Sequence, residues 1–163
     1  MSPNKKQHTL VRLVALAAIC PGVTSADAVQ DWNAIMWTTT AAQNPFLQAR
    51  FAAITHLAVF DAVNAITGDY QPYLGTYTAP QGASPDAAAV AAAHRVLSTY
   101  FPGSAQALDL ARAASLASIP DGQAEDDGIQ VGEAAAAALI ANRANDGSAP
   151  AQFYLPLTAG PGE

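Results

Sequence analysis

Lysine is nearly missing from this chain: Lys5 and Lys6 are the only two, both at the extreme N-terminus. After Arg12 the remaining cations are Arg50, Arg95, Arg112 and Arg143, and the formal net charge is −6. No stripe of basic residues exists to neutralise a phosphate backbone, so no nucleic-acid partner is expected. The same shortage argues against an anionic membrane surface as a docking site. Cysteine occurs once, at Cys20, and histidine three times. One cysteine forms no intrachain disulfide, and so few soft ligands make a zinc site unexpected. No Gly-Lys-Ser/Thr phosphate loop, no His-Glu-x-x-His and no Gly-x-Ser-x-Gly elbow is present. No stretch alternates apolar and polar residues with the period of a β-strand.

Charged residues are also scarce, at 12% of the chain against about 25% in an average soluble domain. Apolar residues reach 51%. Much of that fraction is alanine, which brings little hydrophobic area but the highest helix propensity. The composition therefore points to tightly packed helices and away from a membrane protein. A length of 163 residues suits one domain or part of a larger one.

The first 26 residues have the pattern of an export signal. Lys5, Lys6 and Arg12 form a basic lead, and residues 13–19 (LVALAAI) a short apolar core. Thr24-Ser25-Ala26 and Ala26-Asp27-Ala28 both offer small residues for cleavage. The apolar run falls short of the ~20 residues that cross a bilayer, so no membrane span is expected. We read residues 1–26 as a signal peptide and the location as secreted or periplasmic. The same segment could instead be a helix of the fold, or carry a lipid on Cys20, although Ile19 departs from the small residue such processing prefers. Cleavage after Ala26 or Ala28 leaves a mature chain without cysteine.

Residues 27–147 read as a helical domain of about five helices, an all-α bundle. The first helix spans about residues 27–42, with Trp32, Ile35, Met36 and Trp37 as its apolar stripe. The second spans residues 46–66, opened by the Asn44 cap and Pro45 and closed at Gly68. It is apolar nearly all round, which predicts burial. A loop at residues 69–83 carries Tyr70, Tyr73 and Tyr77 and is expected to lie against the helices. Ser84-Pro85-Asp86 opens a third helix to Tyr100, and Pro102-Gly103-Ser104 breaks it. A fourth runs over residues 105–118, and a fifth, capped by Asp121, continues to about Ala144. The alanine runs at residues 87–89, 91–93 and 134–138 imply close approach between helices. Residues 148–163 form an irregular tail rich in proline and glycine.

Few side chains in this domain could carry chemistry. On the second helix Arg50, Asp61 and Asn64 fall within about 60° of one another, and His56 lies off that face. Asp61 and Asn64 are close enough to interact, whereas Arg50 and Asp61 are ~16 Å apart along the axis. Buried polar groups need partners. One reading is a structural network to a neighbouring helix or a loop backbone, with Arg95 as the available cation. The other is a set of site residues facing a cleft. His94-Arg95 interrupts the alanine-rich third helix and is read first as an exposed face. Glu125, Asp126, Asp127 and Glu133 could serve acid–base or metal chemistry. Near a helix N-terminus they read more simply as a solvated, dipole-matched turn. No catalytic, cofactor-binding or metal-binding residue is assigned.

A series of segments carries a family resemblance. Asp31-Trp32-Asn33, then Ala53-Ile54-Thr55-His56-Leu57-Ala58-Val59-Phe60-Asp61-Ala62-Val63-Asn64-Ala65-Ile66, looks like the N-terminal region of bacterial vanadium-dependent haloperoxidase-like proteins. These are related to type 2 phosphatidic acid phosphatases. Tyr70-Gln71-Pro72-Tyr73, residues 82–88 (GASPDAA), residues 93–97 (AHRVL), residues 118–122 (SIPDG) and Gly160-Pro161-Gly162 follow in the same order. The resemblance implies an all-α bundle, of which this chain would be the N-terminal part. In that family vanadate or phosphate is held by a lysine, arginines, a Ser-Gly-His segment and a final histidine. This chain has no lysine after Lys6, no Arg-Pro and no Ser-Gly-His. Arg50 and His56 share the spacing of the family's last motif, but they precede the expected position and point ~120° apart on a helix. The resemblance thus implies a parent haloperoxidase or phosphatase whose C-terminal half holds the oxyanion, with vanadate belonging to that parent. The chain by itself is expected to be inactive, and a homo-oligomer is allowed. The competing expectation is a complete, non-enzymatic exported domain that binds a partner through the tyrosine loop.

Overall fold

The computed structural model describes residues 27–75 and 77–148. The signal-peptide reading of residues 1–26, Cys20 within it, and all of the tail after Ser148 fall outside the described residues. Among the described residues the architecture is an all-α bundle of five helices with no strand. In chain order these are α1 (Ala28–Thr40), α2 (Pro45–Thr67), α3 (Pro85–Tyr100), α4 (Ala105–Leu116) and α5 (Gln123–Arg143), with a 3₁₀ turn, Pro102–Ser104, before α4.

Local chemistry explains most of the boundaries. Asp27 caps α1 by accepting the Val29 N–H at 3.0 Å. Asn44 caps α2 through the Leu47 N–H, and Pro45 needs no hydrogen bond at the first helical position. Gly68 closes α2 at φ 71°, donating its N–H to the Asn64 carbonyl. Ser84 caps α3 through the Ala87 N–H. The start of α5 differs from expectation: Gly122, at φ 143° with no side-chain cap, precedes the helix, and Asp121 stays exposed. The fourth helix also ends at Leu116, two residues short of Ser118.

The centre of the bundle is α3, which packs against all four other helices. Every residue from Ala87 to His94 is buried, as are Val96 and Leu97. Small side chains are what make this position available, because four neighbours can approach an alanine surface closely. The tightest approach is to α5. A Cβ added to Gly132 would lie 2.3 Å from the Ala88 carbonyl oxygen and 2.9 Å from the Ala91 Cβ. One added to Gly128 would lie 2.3 Å from the Ser84 carbonyl oxygen. The Ser84 N–H reaches across to the Ala124 carbonyl at 2.8 Å, fixing the same end of the pair.

The expectation that α2 is buried all round is corrected. Ile54, Thr55, Ala58, Val59, Asp61, Ala62 and Asn64 are buried, but Phe46 is 87% exposed and Phe60 and Val63 only half-buried. The hydropathy of α2 marks apolar side chains without saying how many neighbours the fold supplies. By length and composition α2 could cross a membrane, with a mean hydropathy of 1.2, but core helices share those properties and α2 packs on α3 and α5. In α1, Trp32 and Met36 enter the core, whereas Trp37 is 48% exposed.

Candidate functional site

The polar residues of α2 divide into two groups. Asp61 is 1% exposed, and its carboxylate accepts the Tyr73 N–H at 2.7 Å and the Leu74 N–H at 3.0 Å. Asn64 accepts the Tyr70 N–H and donates to the Tyr70 carbonyl, both at 2.8 Å. One turn of α2 thus holds the loop by four bonds to its backbone. Arg95 takes no part, contrary to expectation: it points to Glu133 at 3.5 Å. Among the described residues no cation lies within salt-bridge distance of Asp61.

Arg50 and His56 do not converge. The Arg50 guanidinium reaches Asp146 beyond the end of α5 at 3.0 Å, while the His56 imidazole meets Asn33 of α1 at 3.1 Å. Asp146 is held below the usual carboxylate value, first by hydrogen bonds from Ser148 and then by the charges of Arg50 and Arg143. Arg143 donates to the Tyr73 hydroxyl and stacks 5.9 Å above that ring.

His94 is buried, so its reading as part of an exposed face is corrected; only Arg95 faces solvent. The reason is position: α3 is surrounded, and residue 94 points at α1 and α4. The His94 Nε2 lies 2.8 Å from Asp109 Oδ1 and 3.2 Å from Ser98 Oγ, with the Trp32 ring edge-on at 6.1 Å. Ser, His and Asp are the residue types of a nucleophile relay. A relay, however, places acid and nucleophile on opposite ring nitrogens. Here both contacts fall on Nε2, and Nδ1 is buried without a partner. The trio ties α3 to α4 and has no relay geometry.

The acidic residues at the start of α5 also separate. Glu125, Asp126 and Asp127 occupy its first two turns, where the helix dipole favours them. Glu133 does not belong with them: it bridges Arg95 of α3 and Arg112 of α4, at 3.5 and 3.3 Å. A tetrahedral oxyanion needs converging cations and donors. The two arginines that do converge already surround a carboxylate, and Arg50 and His56 diverge. The described residues therefore do not fit bound vanadate or phosphate. Nor do they contain a group of three or more His, Cys, Asp or Glu able to hold a metal ion.

Three of the concavities among the described residues adjoin the polar residues and loop described above. An acidic cleft of about 340 Å³ is lined by Asp27, Asp31, Asp86 and several serines between α1, α3 and the end of α4. Its polar groups serve mostly as caps and ties: Asp27 and Ser84 cap helices, and Ser115 accepts the Trp32 indole N–H. An apolar groove of about 360 Å³ runs along the outer strip of α2, past Val29, Val59, Phe60, Val63 and Tyr70. A smaller cleft of about 180 Å³ lies between α2 and the loop, walled by Asp61, Asn64, Tyr70, Pro72 and Tyr77. The Tyr77 hydroxyl is raised above its usual value, chiefly by burial and secondly by the charge of Asp61.

Comparison with protein-family models, with curated proteins and with solved structures returned no match to this chain.

Proposed function

We propose that the chain supplies the N-terminal helical part of an exported enzyme related to vanadium-dependent haloperoxidases and type 2 phosphatidic acid phosphatases. In this reading its own residues carry no oxyanion centre. The supporting observation is the open outer strip of α2, where Val59, Phe60 and Val63 line a groove beside the exposed Tyr70. Apolar strips of this kind mark surfaces that another element covers. In this reading the cover is the C-terminal half of the parent bundle, which brings the cations that α2 to α5 do not bring together. The parent would oxidise a halide with peroxide, or hydrolyse a phosphate ester, in that half.

The test is the reading frame beyond Glu163. A frame continuing into a lysine, Arg-Pro, Ser-Gly-His and a final Arg…His pair upholds the proposal. A stop codon with none of these motifs nearby sinks it. Purified chain is expected to turn over neither halide with peroxide and vanadate nor a phosphate ester; measurable turnover of either contradicts the placement of the centre.

A second reading, an exported non-enzymatic binding domain, is favoured by the loop itself. Tyr70 and Tyr73 are exposed although the backbone beneath them is fastened by Asp61 and Asn64. Such a domain should melt cooperatively as a monomer. A part of a larger bundle should bind apolar dyes and aggregate.

A further inference from the structure

We propose that Asp121 is a site of spontaneous isomerisation to isoaspartate, selected by the fold from three Asp-Gly dipeptides of identical covalent chemistry. The three are Asp121-Gly122, Asp127-Gly128 and Asp146-Gly147. The inference is independent of any parent enzyme. An Asp-Gly pair can react with itself because glycine carries no side chain to shield its nitrogen. The glycine nitrogen bonds to the Asp Cγ, and the amide proton and the carboxyl hydroxyl leave together as water. Water then opens the five-membered imide. Opening at Cγ restores aspartate. Opening at the former main-chain carbonyl routes the main chain through Cγ and frees a carboxylate, with no net change in composition.

Ring closure needs a carboxyl that can become neutral and swing onto the next nitrogen. Asp146 is clasped: Arg50 donates from Nη1 to Oδ2 at 3.0 Å and from Nη2 to Oδ1 at 3.4 Å, and the Ser148 N–H reaches Oδ1 at 3.1 Å. Hydrogen bonds from Ser148, and then the charges of Arg50 and Arg143, favour its charged form, which has no hydroxyl to lose. Asp127 lies inside α5, where the helical ladder engages the buried Gly128 nitrogen and Gln123 holds the carboxylate at 2.8 Å. Asp121 has neither restraint. It is exposed and precedes the helix, and no ion pair reaches it among the described residues. Gly122 stands at φ 143° with open space around it, and among the described residues its N–H donates to no main-chain carbonyl. The product lengthens the main chain by one carbon just before Gly122, whose carbonyl accepts the Glu125 and Asp126 N–H groups. Two residues further on, the Ala124 carbonyl holds Ser84 beside α3. Isomerisation therefore loosens the end of α5 that is tied to α3.

The experiment ages the full chain at neutral pH, folded and in urea, and locates isoaspartate by electron-transfer fragmentation of tryptic peptides. In urea the three sites should react alike. In the folded chain isoaspartate should accumulate at Asp121 roughly tenfold or more faster than at Asp127 or Asp146, since those two react only after local opening. Arg50→Ala, checked for an unchanged circular dichroism spectrum, should raise the rate at Asp146 severalfold and leave Asp121 unaffected. Hydrogen exchange at Glu125 and Asp126 should quicken as the protein ages, but not in Asp121→Glu, whose longer side chain closes no five-membered ring. Equal folded-state rates at the three sites, a faster rate at Asp127 or Asp146, or no isoaspartate at Asp121 where urea produces it overturn the proposal. So does an Asp146 rate that Arg50→Ala leaves unchanged, or ageing that quickens exchange equally in Asp121→Glu.

Discussion

Replacing Gly132 by alanine tests the packing at the centre of this bundle, because two effects of opposite sign compete there. In an isolated helix the change should stabilise by up to ~1 kcal/mol, since alanine is the better helix former. In this fold the new Cβ would stand 2.3 Å from the Ala88 carbonyl oxygen, 2.9 Å from the Ala91 Cβ and 3.0 Å from the Ala92 nitrogen. A carbon and a carbonyl oxygen approach no closer than ~3.3 Å, so α5 must move about 1 Å away from α3. Two of the three obstacles are backbone atoms, which have no rotamer to change. Overpacking of this kind costs typically 1–3 kcal/mol or more, and the shift also strains the bond from the Ser84 N–H to the Ala124 carbonyl. The steric effect exceeds the propensity gain, leaving a net loss of about 1–2 kcal/mol and a melting point lower by roughly 2–8 °C. Thermal melts followed by far-ultraviolet circular dichroism read this directly. Gly103→Ala is the control, since nothing lies within 4 Å of a Cβ there. A Gly132→Ala melting point equal to or above that of the parent protein would refute the close α3–α5 contact.

Two further outcomes are expected. Asp61→Ala removes the acceptor of the Tyr73 and Leu74 N–H groups; the cost should be about 3–6 kcal/mol, as hydrogen bonds to a charged group contribute ~1.5–3 kcal/mol each. Hydrogen exchange at those two amides should accelerate more than in α3, and uniform acceleration would contradict a role confined to the loop. Asp146 has a lowered folded-state value, so its contribution is present above the unfolded carboxylate value and is lost as pH falls through the folded one. Asp146→Asn should therefore flatten part of the acid limb of the stability profile, and an unchanged limb would show that Ser148, Arg50 and Arg143 do not stabilise the charged form.

The helices were legible because their signals are local. Asn44-Pro45, Ser84-Pro85 and Gly68 act within one turn of chain, so α2 starts and stops, and α3 starts, where those residues place them. Asp121 misled because a capping residue type does not ensure capping geometry, and the positive φ of Gly122 takes the chain into α5 instead. Asp61 and Asn64 could be identified as buried polar residues in need of partners; that the partner is a loop six to thirteen residues away, and not Arg95, depends on how the loop folds back. Gly128 and Gly132 did leave a signal, two glycines four apart on one helix face, which propensity alone reads as weakness.

By itself, then, the sequence determined an all-α protein, the approximate extent of its helices and the polar residues that require an explanation. Tertiary structure alone decided that the alanine helix α3 lies at the centre, that α2 keeps an apolar strip open, that His94 is enclosed and that Glu133 joins three helices. The physical reason is range. Propensity and capping act over a few residues, whereas burial depends on which helices approach, and side chains as small as alanine and glycine govern that approach without registering in hydropathy.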